Sequence, residues 1–153
     1  MVESHRDRGA RLAIWGLDDG ALQRRAATPF IGTRFRWLAP LGAADLDGDG
    51  RMEIAYVDRP HLARVLRVWR YEAGDGLREV AQLQGLSNHR IGAPDIAGGI
   101  RDCGQGPEMI LADAQWRRLV AVTLKDGTLT RRDLGPHRGR DSFGAAMGCD
   151  RPR

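Results

Sequence analysis

The chain has 153 residues, 42% of them hydrophobic and 29% charged, a balance typical of a folded globular domain rather than a disordered chain. This length suits one domain with its own core, and no apolar run approaches the roughly 20 residues of a membrane-spanning helix. The net charge of +4 is carried almost entirely by arginine, and because these arginines alternate with acidic residues we interpret them as compositional and predict no nucleic-acid binding.

The first predicted element is a β-hairpin at 11–25, in which alternating apolar residues flank Asp19-Gly20. An Asp-Gly pair in this setting favours a type I′ turn, since both central residues of that turn need positive φ. Eight of fifteen positions are identical, without a gap, in a second hairpin at 118–132 around Asp126-Gly127. A looser third copy lies midway at 66–80, where Asp75-Gly76 takes the place of the turn pair. The chain therefore repeats every roughly 51 to 56 residues, in the range of propeller blades.

Further segments repeat between the hairpins. A Gly-Ala element occurs at 41–45 and again at 91–95, and an apolar segment with Glu and Asp at matching positions occurs at 51–58 and 106–113. One unit is thus a Gly-Ala strand, a loop, an apolar strand and a hairpin. Glycine and proline are spread too evenly for long helices. We predict an all-β fold made of four-stranded antiparallel β-propeller blades.

The repeat predicts one partial propeller domain over 1–153. Its parts are a half blade at 10–36, a blade at 37–86, a blade at 87–135 and the start of a next unit at 136–153, where 142–150 is similar to a Gly-Ala opening strand. About three blades are too few to close a ring. We therefore expect exposed strand edges and apolar faces at both ends, and either self-association or another chain that completes the propeller.

The most informative stretch is the D-x-D-x-D-G-x-x-E loop that begins at Asp45. Carboxylates on alternate residues of a tightly curled loop can converge on one point, and calcium accepts such irregular sets of six to eight oxygens. The predicted ligands are four side chains and the backbone carbonyl of Arg51: Asp45, Asp47, Asp49, Arg51 and Glu53. An EF-hand is excluded, because its twelfth position is Tyr56 here and the flanking residues favour a strand rather than a helix.

With its following strands, LGAADLDGDGRMEIAYVDRP and then LRVWRY, this stretch resembles the FG-GAP/VCBS repeat of integrin α-chain propellers and many bacterial secreted proteins. The resemblance implies a Ca²⁺ site on the residues just named, with Glu53 in place of the usual aspartate. It also implies a periplasmic or extracellular location, although no signal peptide is visible in this chain, and a protein or carbohydrate partner.

The two cysteines, Cys103 and Cys149, form no C-x-x-C pair and no zinc-site spacing, so on their own they indicate either one disulfide or two free thiols. Cys103 lies in the second copy of the loop, which has lost most of its acidic residues, and Cys149 lies at the corresponding place of the next unit. We expect a disulfide there that replaces the missing metal as a cross-link.

Other residues carry no catalytic pattern. His5, His61, His89 and His137 have no ligand or triad spacing and are expected in loops or at the surface. Trp15 and Trp69 occupy equivalent hairpin positions, which indicates packing between blades. The sequence contains neither a nucleophile elbow nor a phosphate loop. Two hypotheses remain: a non-catalytic, calcium-stabilised binding or scaffold module, or an accessory propeller segment of a larger hydrolase or lyase.

Overall fold

The computed structural model describes residues 1–149, so the last residue of the predicted opening strand, Asp150, and the end of the predicted unit at 136–153 lie outside this range. The described residues form an all-β fold of twelve strands followed by one short helix. The strands are β1 Val2–His5, β2 Gly9–Asp18, β3 Ala21–Ala27, β4 Leu38–Ala44, β5 Glu53–Asp58, β6 Val65–Glu72, β7 Gly76–Gln84, β8 Leu86–Ser87, β9 Gly99–Asp102, β10 Pro107–Asp113, β11 Arg118–Lys125 and β12 Thr128–Pro136, and the helix is α1 Arg140–Met147.

The strands form three antiparallel sheets, each built from strands that are close in sequence. Sheet 1 has the order β1-β2-β3, sheet 2 has β4-β5-β6-β7, and sheet 3 has β12-β11-β10-β8 with β9 also paired to β10. Only sheet 2 has the four strands that we predicted for each unit. Sheet 1 begins at Val2, so it starts before the half blade that we placed at 10–36.

The hairpin turns confirm the Asp-Gly prediction at two of three positions. Asp19 and Gly20 have φ of 47° and 80°, and Asp126 and Gly127 have φ of 49° and 72°, as a type I′ turn requires. In the third hairpin Glu72 pairs with Gly76, so the turn comprises residues 73–75 instead. The expected equivalence of Asp75-Gly76 with the other two pairs is therefore wrong, because this turn has three residues instead of two.

The three sheets stack face to face through alternating side chains of their strands. On β5, Tyr56 packs towards sheet 1 with Leu12 and Trp69, whereas Val57 points to the opposite core against sheet 3. Sheet 3 contributes Met109, Leu111 and Val122 to that second core. The predicted packing role of Trp69 is confirmed. Trp15 is only half-buried, and its indole Nε1 donates to Glu3 at 3.2 Å.

The segment expected to open another unit at 142–150 is wrong as a strand, since helix α1 takes its place. Phe143 and Ala146 of the helix are buried against the far face of sheet 3, where Ile110, Leu119 and Ala121 project. The apolar face that we expected to be exposed at this end is therefore covered by the chain itself. Within residues 1–149, no helix is long and apolar enough to cross a bilayer.

Candidate metal centre

The D-x-D-x-D-G loop is the connection between β4 and β5, whose last registered pair is Ala44 with Glu53. Asp45 organises this loop with both carboxylate oxygens. Its Oδ1 accepts from the backbone N–H of Gly48 at 2.8 Å and of Asp49 at 3.1 Å, and its Oδ2 accepts from Gly50 at 2.9 Å. Gly48 and Gly50 have φ of 78° and 84°, the left-handed backbone that keeps the loop curled.

The three aspartates of the loop converge as the spacing predicts. Asp45, Asp47 and Asp49 each present a carboxylate oxygen, and these oxygens lie within 4.8 Å of one another. Among the described residues, Oδ1 of Asp47 is buried without a hydrogen-bond partner. A buried carboxylate oxygen without a partner is costly, and a hard cation bound between the aspartates would satisfy it.

Glu53 does not belong to this converging group. It begins strand β5, its side chain is fully buried, and both of its oxygens have partners inside the protein. Oε2 accepts from the backbone N–H of Leu46 at 2.8 Å, and Oε1 accepts from Nε of Arg70 at 2.5 Å. Glu53 thus fixes the start of the loop to the neighbouring strand.

Arg70 is the residue of this site that sequence reasoning missed. It stands opposite Glu53 in the register of β5 and β6, and its side chain is only 9% exposed. Besides Glu53, its guanidinium contacts Oδ2 of Asp47 at 2.5 Å and Oδ2 of Asp49 at 3.0 Å. The hydrogen bond to Glu53 is the main cause that raises the pKa of Arg70 above its usual value. One signal in the sequence could have indicated Arg70. Glu53 begins a strand predicted to be buried, and a buried carboxylate needs a cationic partner, which a neighbouring strand can supply.

Arg51, predicted to offer its backbone carbonyl, also holds the loop through its side chain. Its Nη2 contacts Oδ2 of Asp49 at 2.7 Å, and its backbone N–H donates to Oδ1 of the same residue at 2.9 Å. The side-chain hydrogen bond from Arg51 is the largest influence lowering the pKa of Asp49. Two guanidinium groups therefore face four carboxylates, which leaves two negative charges for a divalent cation to balance. The three aspartates fit calcium in charge and donor type.

The expected disulfide is confirmed. Cys103 and Cys149 are bonded, with their Cα atoms 5.7 Å apart and a sequence separation of 46. The bond joins the connection between β9 and β10, the counterpart of the Asp45 loop, to the residue that follows α1 by two positions. It therefore ties the helix to sheet 3.

His61, His89 and His137 lie in connections outside the strands, as expected, but His61 and His89 are in contact with each other. Nε2 of His61 lies 2.9 Å from Nδ1 of His89, and Nε2 of His89 lies 3.1 Å from the carbonyl oxygen of Ala93. Since a carbonyl only accepts, His89 donates from Nε2 and accepts at Nδ1 from His61. The ring of Trp37 stacks on His61 and meets His89 edge-on. The two histidines are 28 residues apart, so no spacing in the sequence indicates this contact.

The pair is half-buried, and burial is the main cause that lowers the pKa of His61.

No family model matches this sequence, and no curated protein matches it either. Function is therefore inferred from the geometry of the chain.

Proposed function

We propose that this chain is a β-propeller repeat module of the FG-GAP/VCBS type, with sheets 1, 2 and 3 as successive blades. Each sheet is formed by strands adjacent in sequence and packs on the next through alternating apolar side chains, as blades of a propeller do. Sheets 1 and 2 also share a β-bulge, which directly precedes Trp15 in one and Trp69 in the other. The shared position of the bulge supports a structural repeat, in addition to the residues that are identical between the hairpins.

The module serves protein or glycan binding or acts as a scaffold, and it is not an enzyme. The disulfide supports a periplasmic or extracellular location, because such bonds persist mainly in oxidising compartments. Three blades leave the ring open on the side of sheet 1, whose outer face carries Trp15, Arg11 and Glu3. A second copy or another chain would complete the propeller on this side.

Calcium stabilises the module at the Asp45 loop. The observation that carries this proposal is the convergence of three aspartates around a buried oxygen of Asp47 that has no protein partner in the described residues. Asp45, Asp47 and Asp49 would hold the ion directly. Glu53 and Arg70 would hold the loop in shape, because their oxygens and nitrogens already bond to each other, to Leu46 and to the aspartates.

The test is thermal unfolding of the purified chain in calcium and in chelator. Calcium at about a hundredfold excess over its Kd adds about 2.7 kcal/mol, which for this chain length raises Tm by about 5 to 10 °C. The double variant Asp47→Ala/Asp49→Ala should lose this rise. The control, Asp7→Ala/Asp75→Ala, removes the same charge from two exposed loop positions and should keep it. An equal rise in both double variants, or none in the wild type, contradicts the metal assignment.

A further inference from the structure

The connections between strands lie at two opposite ends of the sheet stack, and those that alternate along the chain with the hairpin turns lie at one of these ends. In an antiparallel meander, successive connections lie at opposite ends of the strands. The Asp45 loop and the hairpin turns therefore share one end. The other end, which we call the arginine end, comprises the connections at 6–8, 28–37, 59–64, 88–98, 114–117 and 137–139.

These connections form one continuous surface because each contacts the next. The backbone N–H of Gly32 donates to the carbonyl of Arg8 at 3.2 Å, and that of Arg59 donates to Trp37 at 3.0 Å. The surface continues through the hydrogen bond between His61 and His89.

Beyond this point the guanidinium of Arg90 lies over the ring of Trp116 at 4.7 Å, and Nδ1 of His137 is 3.1 Å from the Trp116 carbonyl oxygen. The surface thus crosses all three sheets.

Arginines without a carboxylate partner are concentrated at this end. Over sheet 1, Arg6, Arg8, Arg34 and Arg36 are all exposed, and none forms an ion pair within residues 1–149. Two of them rest on aromatic rings instead, Arg8 at 4.3 Å from the centre of Phe30 and Arg34 at 4.6 Å from that of Phe35.

The same holds over sheets 2 and 3. In the described part of the chain, Arg64, Arg90, Arg117 and Arg138 also lack an acidic partner, and each belongs to a different connection of the arginine end. Arg131, in the middle of β12, is the one other described arginine of this kind. Arginines elsewhere on the sheets are paired with aspartate or glutamate.

Acidic residues neutralise this surface only in part. Asp7 lies between Arg6 and Arg8, and Asp113 borders the 114–117 connection, where its Oδ1 accepts from the backbone N–H of Arg117 at 2.7 Å. Asp58 is bound by Arg59 and Arg67, and Asp95 is bound by Arg140. At the opposite end, the Asp45 loop and the turn residues Asp19, Asp75 and Asp126 carry negative charge. The molecule therefore has a positively charged end and a negatively charged end, although its net charge is only +4.

The arginine end also carries aromatic groups beside its cations. Phe35 is 87% exposed, next to the half-buried Trp37, and a shallow groove runs on both sides of these two residues. One branch is lined by His5 and Arg6, and the other by Pro60 and His61. An extended groove with arginines and flat rings suits a linear, negatively charged polymer whose rings can stack.

We propose that the arginine end binds a linear acidic polysaccharide along the groove at Phe35 and Trp37. Arginine binds carboxylate and sulfate groups through paired N–H donors, and exposed aromatic rings pack against sugar rings. The disulfide favours a compartment in which such glycans are more accessible than nucleic acids. This inference specifies the glycan-binding role proposed above, but it does not depend on the metal loop, which lies at the opposite end.

The test is titration calorimetry of the full chain with heparin oligosaccharide and with polygalacturonate, in about 0.15 M salt. Neutral dextran and a single-stranded oligonucleotide of matched charge serve as comparison ligands. We expect at least one acidic glycan to bind, more tightly than either comparison ligand. Binding should be equal in calcium and in chelator, so a failed calcium site and a failed glycan site give different results.

The variant Arg34→Ser/Arg36→Ser should weaken glycan binding about tenfold and lower the salt slope by roughly one for each arginine replaced. The control Arg25→Ser/Arg131→Ser removes the same charge from exposed strand positions and should bind like the wild type. Circular dichroism and Tm of both variants establish that they are folded. The proposal is overturned if neither glycan binds, if both variants lose affinity equally, or if the oligonucleotide binds more tightly.

Discussion

Replacing Arg70 with methionine should destabilise the protein more than the loss of any exposed ion pair. The substitution keeps an unbranched apolar side chain but removes the guanidinium that contacts Glu53, Asp47 and Asp49. Glu53 is fully buried and would then keep only its hydrogen bond from Leu46. Removing one partner of a buried ion pair costs about 3 to 5 kcal/mol, since the other charge stays out of water. We expect a loss of this size for Arg70→Met.

The matched control is Arg78→Met on the adjacent strand. Arg78 stands opposite Arg70 in the register of β6 and β7, is 56% exposed and pairs with Glu72 at 2.9 Å. Exposed pairs contribute less than about 1 kcal/mol. Urea unfolding followed by tryptophan fluorescence in calcium-free buffer measures both variants, provided that the m-value is unchanged. Equal losses in the two variants would refute the assignment of Arg70 as the internal cation of this loop.

Calcium gives this prediction a second readout. Without the guanidinium, Oδ2 of Asp47 and Oδ2 of Asp49 lose a positive partner, so the ion should stabilise Arg70→Met by more than it stabilises the wild type. A smaller gain in the variant would mean that Arg70 positions the aspartates for the ion instead of sharing them with it.

Two further predictions concern the disulfide and the histidines. Cys103→Ser/Cys149→Ser should lower the free energy of unfolding by about 4 kcal/mol in the chain-entropy model, given the sequence separation of 46. Urea unfolding with and without reductant measures this loss, and a wild type whose stability does not change in reductant would contradict the prediction. Burial lowers the pKa of His61 below its ordinary value of 6.5, so the unfolded state takes up the proton first and stability should fall from about pH 7 to 5. His61→Gln should flatten that fall; a pH profile parallel to that of the wild type would exclude His61 as its source.

The turns and the aspartate loop could be predicted from the sequence, because in each a short pattern of residues decides the backbone conformation. Asp19-Gly20 and Asp126-Gly127 fix their turns because few residue pairs accept positive φ twice. Likewise, the spacing of Asp45, Asp47 and Asp49 sufficed to predict their convergence, because the loop is closed by its own backbone hydrogen bonds. The contact of Glu53 with Arg70 could not be predicted in this way, since Arg70 is on another strand and only the register brings the two residues together.

Helix α1 shows where local similarity fails. The segment around Phe143 resembles the Gly-Ala strands of the earlier units, although its alanines favour a helix over a strand and its glycine weakens both. The exposed apolar face of sheet 3 decides the outcome. A helix buries Phe143 and Ala146 on that face at once, whereas a strand would need further strands of its own unit to form a blade. The ending of the stack is therefore set by tertiary packing.

The charge pattern was the most misleading feature of the sequence, for a geometrical reason. Arginine and aspartate alternate along the chain, which in a disordered or helical protein would mean an evenly mixed surface. In an antiparallel meander, however, successive connections lie at opposite ends of the sheet. When basic and acidic connections alternate along the chain, the basic ones therefore gather at one end and the acidic ones at the other. Connections with Arg8, Arg36 and Arg64 gather at one end, and turns with Asp19, Asp75 and Asp126 gather at the other. Near-neutral regions of sequence can therefore fold into a strongly basic surface, and the net charge of a β-meander says little about what its ends bind.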